Sequence, residues 1–255
     1  MRNGVYRVWL SVLIDKDGVT QMTTRIILHT FVEFVQSKYD PIQVDDMCVT
    51  RVERAGFSTS PLGWRDFLGT PITEEELKAA VKKGAYNKSP GRDGICLEFF
   101  KLTGRLSRII CWPYSKMYLG GRIMEQQKYD IVVCIPKTDI STSTADYRPI
   151  TLLNTGYAIL ARIIVNRLRP KLPDMLHSNQ YCAVPGNTIS GAVATVRGTV
   201  AYAELTHAPL CFLSLDFTAA FDGFSHTYRL RTLKHYGYKM KFIKLLLLYF
   251  IMSLF

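Results

Sequence analysis

Hydrophobic and polar positions along the chain predict a series of amphipathic helices, and the sharpest pattern belongs to a short one. Thr73, followed three residues later by Glu76, forms a capping box in which each side chain accepts a backbone N–H of the other residue. Gly84 is a typical stop signal after the last apolar position. The pattern predicts a helix from about Glu74 to Lys83.

Apolar residues at helical spacing predict three further helices. The first includes residues 26–35, the second runs from Tyr157 until Pro170 ends it, and the third spans Ile189 to Val200. The apolar face of the second helix consists of Ile159, Leu160, Ile163, Ile164 and Leu168. Its basic residues are assigned to the opposite, solvent-facing side, and they are Arg162, Arg167 and Arg169.

Between these helices the sequence predicts turns and strands. Residues 87–94 contain Pro-Gly and Asp-Gly pairs that demand turns. The β-branched run Ile131–Ile135 predicts a strand that ends at Lys137, and the apolar run Leu213–Leu215 predicts a strand that ends at Asp216. The apolar run from Leu245 to Phe255 is too short to span a membrane and predicts a core helix.

Composition narrows the class of protein. The 255 residues are 48% hydrophobic, which suffices for a packed core and excludes a disordered chain. The formal net charge of +11 favours a polyanionic partner, although charge alone does not separate RNA, DNA and an acidic membrane. No signal peptide is evident, so an intracellular location, in cytoplasm or nucleus, is expected.

The six cysteines are far apart, without a CxxC pair or a histidine at zinc-ligand spacing. They are therefore interpreted as small buried hydrophobic residues in a reducing compartment.

A strand that ends in a carboxylate suits a hard cation such as Mg²⁺, which takes oxygen ligands. Asp216 stands in that position, and Asp222 follows six residues later. Taken alone, Asp216 is also compatible with a strand-end or helix-capping aspartate, and Asp222 with a cap or turn residue.

Five motifs in this order resemble the reverse transcriptase domain of non-LTR (LINE-type) retrotransposons. They are residues 88–95 (KSPGRDGI), 135–137 (IPK), 146–154 (DYRPITLLN), Gln180 with Pro185–Gly186, and 215–222 (LDFTAAFD). The resemblance implies an α/β (α+β) fold of the right-hand polymerase type, rich in helix, with the fingers and an incomplete palm sheet. It also implies that residues 1–70 precede the polymerase domain as a linker or N-terminal extension and that 71–255 form part of that domain.

The resemblance also implies roles for individual residues. Asp216 matches the first catalytic aspartate, a ligand of the two Mg²⁺ ions. Phe221 matches the aromatic residue that excludes a ribose 2′-hydroxyl, and Lys137 and Arg148 match residues beside the incoming deoxynucleoside triphosphate. The expected partners are an RNA template and a DNA primer. The residues expected to contact their backbones are Lys88, Arg92, Arg162, Arg167 and Arg169.

The Tyr-Ala-Asp-Asp motif, which supplies the other catalytic carboxylates in this family, does not occur in the 255 residues. One aspartate does not build a two-metal site, so this chain alone is expected to be a truncated and inactive polymerase fragment. Two alternatives stay open. The chain is a non-catalytic, basic nucleic-acid-binding module derived from such an element, or it does not fold stably because of an unpaired sheet edge. Lys88, Arg92 and the arginine-bearing helix are equally compatible with plain solvated surfaces.

Overall fold

The computed structural model describes residues 13–14, 17–39, 50, 62–103, 131–138, 141–217, 225–243 and 246. Within these ranges the chain combines helices with two small antiparallel sheets. The strands are β1 (Leu13–Ile14), β2 (Thr20–Gln21), β3 (Ile131–Pro136) and β4 (Tyr147–Leu152). The helices are α1 (Thr24–Tyr39), α2 (Leu62–Leu68), α3 (Glu74–Lys82), α4 (Leu97–Leu102), α5 (Thr155–Leu168), α6 (Leu172–Met175), α7 (Ile189–Thr206) and α8 (His226–His235).

Strands β3 and β4 form a six-residue ladder, in register from Ile131 opposite Leu152 to Pro136 opposite Tyr147. The first sheet and α1 lie against this hairpin. Ile14 forms a parallel bridge to Ser143, and the rings of Phe31 and Tyr147 meet edge to face at 5.0 Å.

Helix α5 occupies the centre of the packing because its apolar residues face two clusters. Ile159 and Ile163 pack with α3 and α4 in a cluster that includes Leu77, Ala80 and Leu97. Leu160 and Ile164 belong to a second cluster formed with α2, α6 and the segment after α8. The buried members of that second cluster are Leu68, Leu160, Ile164, Met175, Tyr236, Tyr238, Phe242, Ile243 and Leu246.

The structure confirms the helices that were predicted from spacing and caps. Helix α3 spans Glu74–Lys82 and carries the predicted capping box between Thr73 and Glu76. Gly84 does follow its end, but a Cβ at this glycine would lie 2.2 Å from Cδ2 of Leu97. Close packing therefore favours glycine here, because a Cβ would displace the buried Leu97 side chain.

The prediction of a strand that ends at Asp216 is wrong, because the described residues before and at Asp216 form no strand. Residues 208–217 are neither helical nor paired with another strand. A strand is stabilised by hydrogen bonds to a neighbouring strand, and both described sheets consist of two strands paired with each other. The apolar side chains of this segment are accordingly exposed, with Leu215 at 79% and Phe217 at 82%.

Helix α7 forms as predicted, yet most of its apolar residues are not buried by other described residues. Ile189 is 78% exposed and Val193 is 50% exposed, while Ala203 is buried.

The cysteine prediction also needs correction, because Cys182 and Cys211 are exposed. The four described cysteines are unbridged thiols, and no described helix is long and apolar enough to span a membrane.

The apolar tail predicted as a core helix lies outside the described residues, except that Leu246 is described and buried.

Candidate nucleotide and nucleic-acid site

The β3–β4 hairpin brings two predicted phosphate-binding residues to the same end of one sheet. Arg148 lies opposite Ile135 in the ladder, and the backbone N–H of Lys137 donates to the carbonyl of Asp146 at 2.7 Å. Both cationic side chains are exposed. The ammonium group of Lys137 donates to the carbonyl of Ala145 at 2.6 Å, which holds it beside the 3₁₀ turn Thr144–Asp146 that precedes β4.

The loop with the predicted residues Lys88 and Arg92 is docked onto the start of α5. The backbone N–H of Asp93 donates to Oδ1 of Asn154 at 3.1 Å, and the Thr155 hydroxyl donates to the carbonyl of Ile95 at 2.6 Å. Lys88 and Arg92 are both exposed on this fixed loop.

The fit between loop and helix is close. A Cβ at Gly91 would lie 2.5 Å from both the backbone nitrogen and Oδ1 of Asn154. Asn154 itself is 3% exposed, so its amide oxygen is a buried acceptor that the Asp93 N–H satisfies. Two of the sequence motifs, KSPGRDGI and DYRPITLLN, are thus in direct contact.

Glu98 holds the other end of this loop. Its carboxylate accepts the backbone N–H of Asn87 at 2.7 Å, and this hydrogen bond lowers the pKa of Glu98. Asn87 has a φ of 57°, a left-handed conformation that asparagine tolerates better than most residues.

The predicted basic face of α5 divides into three different environments. Arg169 is exposed, as expected, in the 3₁₀ turn Arg169–Lys171 that follows the helix. Arg162 is half-buried and donates to the carbonyl of Ala80 at 3.0 Å. Arg167 is 4% exposed, so its assignment to an exposed nucleic-acid-binding face is wrong.

The Arg167 guanidinium forms a bidentate ion pair with Glu76, with both N–O distances at 2.6 Å. It also donates to the carbonyls of Thr70 at 2.8 Å and Pro71 at 2.9 Å. Arg167 therefore fastens α5 to the loop between α2 and α3 instead of facing solvent.

Burial acts to raise the pKa of the Glu76 carboxyl. The Arg167 hydrogen bond, the backbone N–H of Thr73 and the Arg167 charge outweigh burial, so the pKa lies below its usual value. Glu76 thus stays ionised beside Arg167 at neutral pH.

The motif of residues 215–222 is described only as far as Phe217. Asp216 belongs to the exposed segment 208–217, which is not paired with another described strand. Phe221 and Asp222 lie outside the described residues.

The resemblance implies a site for divalent metal ions, with Asp216 as its expected ligand among the described residues. The described ranges contain no group of three or more His, Cys, Asp and Glu side chains able to hold a metal ion. The described residues therefore do not fit a complete two-metal centre, which needs several carboxylate oxygens around each ion.

Sequence reasoning missed two residues that organise this region. Glu76 was assigned to a helix cap, but it also neutralises the buried Arg167. Asn154 was noted as part of a motif, but its contact with Gly91 joins segments about sixty residues apart and has no local signal. A spacing signal did exist for Arg167, because it lies four residues after Ile163 on the apolar face.

Comparison with known proteins places these features in a family. Residues 135–254 match the sequence model of the reverse transcriptase (RNA-dependent DNA polymerase) family. The chain is 34% identical over 184 residues to the "Transposon TX1 uncharacterized 149 kDa protein" of Xenopus laevis, a match covering 70% of this chain and 14% of the relative.

Two further relatives are retrovirus-related Pol polyproteins. The protein from type-1 retrotransposable element R1 of Bradysia coprophila is 26% identical over 196 residues, covering 75% of this chain and 18% of the relative. The protein from type-1 retrotransposable element R2 of Popillia japonica is 27% identical over 170 residues, covering 66% and 22%. The chain thus spans less than a quarter of the length of these relatives. Residues 135–254 thus form a domain of the reverse transcriptase family, of the kind found in non-LTR retrotransposable elements.

Proposed function

We propose that this chain supplies the fingers and the beginning of the palm of an RNA-directed DNA polymerase. The family match over residues 135–254 supports this, since it includes Lys137, Arg148 and Asp216. The proposed partners are an RNA template, a DNA primer and deoxynucleoside triphosphates, and the proposed location is the cytoplasm or nucleus.

The observation that favours this function most is the placement of Lys137 and Arg148. Both are exposed cations at one end of the β3–β4 hairpin. A lysine provides a point charge and an arginine a planar fork, and together they suit the oxygens of a triphosphate. Phe221 is proposed to lie against the sugar of the same nucleotide, where a ribose 2′-hydroxyl would clash with its ring.

Asp216 is proposed as one carboxylate ligand of a catalytic divalent metal. When bound, the metal would lower the pKa of the primer 3′-hydroxyl and stabilise charge on the phosphates. The task of this chain in that site is to hold the Asp216 carboxylate in place. The remaining ligands have to come from other carboxylates.

Nucleotide binding tests the proposal directly. A fluorescent deoxynucleoside triphosphate is titrated with the wild-type chain and with Lys137→Gln and Arg148→Gln, and anisotropy is measured. Each substitution is expected to weaken binding about 10- to 150-fold, because each removes a charge-assisted hydrogen bond worth about 1.5–3 kcal/mol.

Lys234→Gln is the matched control, since Lys234 is an exposed cation in the last turn of α8. It removes the same charge away from the hairpin and should leave the affinity unchanged. Equal affinities for all four proteins would contradict the proposed roles of Lys137 and Arg148.

A second candidate function is that of a non-catalytic nucleic-acid-binding module. The net charge of +11 and the exposed Lys88 and Arg92 on their fixed loop favour it. Binding to nucleic acid would then release counterions, and affinity should fall steeply as salt increases. A filter-binding titration that gives one affinity at low and high salt would exclude this function.

A further inference from the structure

A groove of about 640 Å³ lies between α2, α3 and the end of α5, away from the hairpin. Its volume is within the range of sites that bind small molecules or parts of polymers. The lining residues that decide its chemistry are Phe67, Glu76, Lys83, Arg167, Arg169 and Lys171.

An aromatic ring is held open to solvent in this groove. The guanidinium carbon of Arg167 lies 5.2 Å from the centre of the Phe67 ring, a cation–π distance. Arg167 is in turn fixed by the bidentate pair with Glu76. Phe67 nevertheless remains 44% exposed, so part of a positioned ring is available to a ligand.

The groove is rimmed by cations. Lys83 and Arg169 are exposed, and neither forms an ion pair with a carboxylate of the described residues. Lys171 pairs with Asp174 at 3.2 Å. The acidic residue lining the groove is Glu76, whose charge is matched by Arg167, so the net field at the rim is positive.

A fixed aromatic ring beside the exposed cations Lys83 and Arg169 suits a polymer in which each repeating unit has a flat apolar surface and a negative charge. Single-stranded nucleic acid has this chemistry, because its bases stack on aromatic rings and its phosphates contact Lys and Arg. A duplex offers the phosphates but keeps its bases stacked on each other. An acidic peptide offers the charge without regular flat surfaces.

We propose that this groove binds single-stranded nucleic acid, with a base stacked on Phe67 and phosphates against Lys83 and Arg169. The inference rests on the proposed function for the class of partner, which is nucleic acid. It adds a binding surface whose lining residues lie outside the β3–β4 hairpin.

The test measures anisotropy of a labelled single-stranded oligonucleotide of about 12 nucleotides, in RNA and DNA forms, with the complete chain. Phe67→Ala is expected to weaken binding about tenfold through lost stacking. Lys83→Gln is expected to weaken it severalfold and to make the affinity less dependent on salt, because one phosphate contact is removed.

Matched controls are present in the chain. Phe99 on α4 is 46% exposed and does not line the groove, so Phe99→Ala removes a comparable ring elsewhere. Lys82 is the exposed neighbour of Lys83 and does not line the groove, so Lys82→Gln removes the same charge. Both controls should bind as the wild type does, and thermal melts of all variants identify any that fail to fold. Arg169→Gln replaces Lys83→Gln in the test if the latter does not fold.

A duplex of the same length separates stacking from charge, since Phe67→Ala should have little effect on duplex binding. If the wild type binds the oligonucleotide in a salt-dependent way but Phe67→Ala and Phe99→Ala bind it with equal affinity, the groove proposal is overturned and the proposed function is not. A wild-type chain that binds no oligonucleotide at all would overturn both. Binding of polyglutamate as tight as that of the oligonucleotide would also overturn the groove proposal.

Discussion

At the scale of single residues, the ion pair between Arg167 and Glu76 connects three segments of the chain. Glu76 belongs to α3, Arg167 to α5, and the carbonyls of Thr70 and Pro71 to the loop before α3. A guanidinium that is almost wholly buried is tolerated because its donors find acceptors and its charge finds a partner. The pair therefore fixes where α3 lies on α5.

Glu76→Gln is expected to destabilise the fold by about 2–4 kcal/mol, because it leaves a buried guanidinium without a counter-charge. This is less than the about 3–5 kcal/mol lost when a fully buried pair is broken, because the Glu76 side chain is 23% exposed. The measurement is a denaturant or thermal unfolding curve at neutral pH.

The same pair predicts a pH dependence. The folded-state pKa of Glu76 lies below its ordinary value of 4.5, so its stabilisation is fully present above that value and is lost as pH falls through the lowered pKa. The stability difference between wild type and Glu76→Gln should therefore narrow below pH 4.5. Glu75→Gln, at the exposed neighbouring position, is the control and should show a small difference that does not follow this pattern.

Whether a residue of α5 is buried follows from its position along the helix more than from its residue type. The spacing of α5 correctly identified its core, but Arg167 was assigned to the surface because it is charged. Its position four residues after Ile163 placed it on the buried side. That Glu76 is its partner depends on how α3 packs against α5, and no local sequence pattern specifies this packing.

At the scale of elements, the contact between the loop before α4 and the start of α5 orders two cations. Gly91 lies against the backbone of Asn154, and the Asp93 N–H is bonded to the Asn154 side chain. The loop cannot move away from α5 without breaking these contacts. Lys88 and Arg92 are therefore presented from a fixed base.

Gly91→Ala is expected to destabilise the chain by about 1–3 kcal/mol, because the new Cβ would meet the Asn154 backbone at 2.5 Å and backbone cannot easily yield. Oligonucleotide affinity should fall as well if Lys88 and Arg92 contact phosphates. Thermal melting and a binding titration measure the two effects.

Gly63→Ala is the matched control, since a Cβ at Gly63 in α2 meets nothing within 4 Å. It should be neutral or slightly stabilising, because alanine is the better helix former. A Gly91→Ala variant as stable as Gly63→Ala would show that the contact is not tight in solution.

Elements with local signals were predictable, and elements that need distant partners were not. The capping box fixed α3, and the β-branched run fixed β3. The strand before Asp216 had a suitable sequence, yet a strand forms only when another strand pairs with it. For the same reason the apolar pattern of α7 predicted a helix correctly but not the burial of its face.

At the scale of the whole molecule, residues 135–254 match the reverse transcriptase family, and Asp216 is the residue proposed to bind its catalytic metal. A polypeptide of only these residues is expected to give no nucleotide incorporation on a primed homopolymer template, since one carboxylate cannot position two metal ions. Primer extension under standard conditions measures this. Incorporation that disappears in Asp216→Ala would contradict the expectation.

Helix α5 has a further consequence for the molecule as a whole. Because the two core clusters share this helix, α5 becomes fully exposed only when both clusters open. Amide hydrogens in the middle of α5 should therefore exchange with solvent most slowly, at the rate of global opening. Those of α7, whose side chains are mostly exposed, should exchange through local fluctuations. The molecule would thus respond to stress as one cooperative unit built around α5, with α7 opening independently of it.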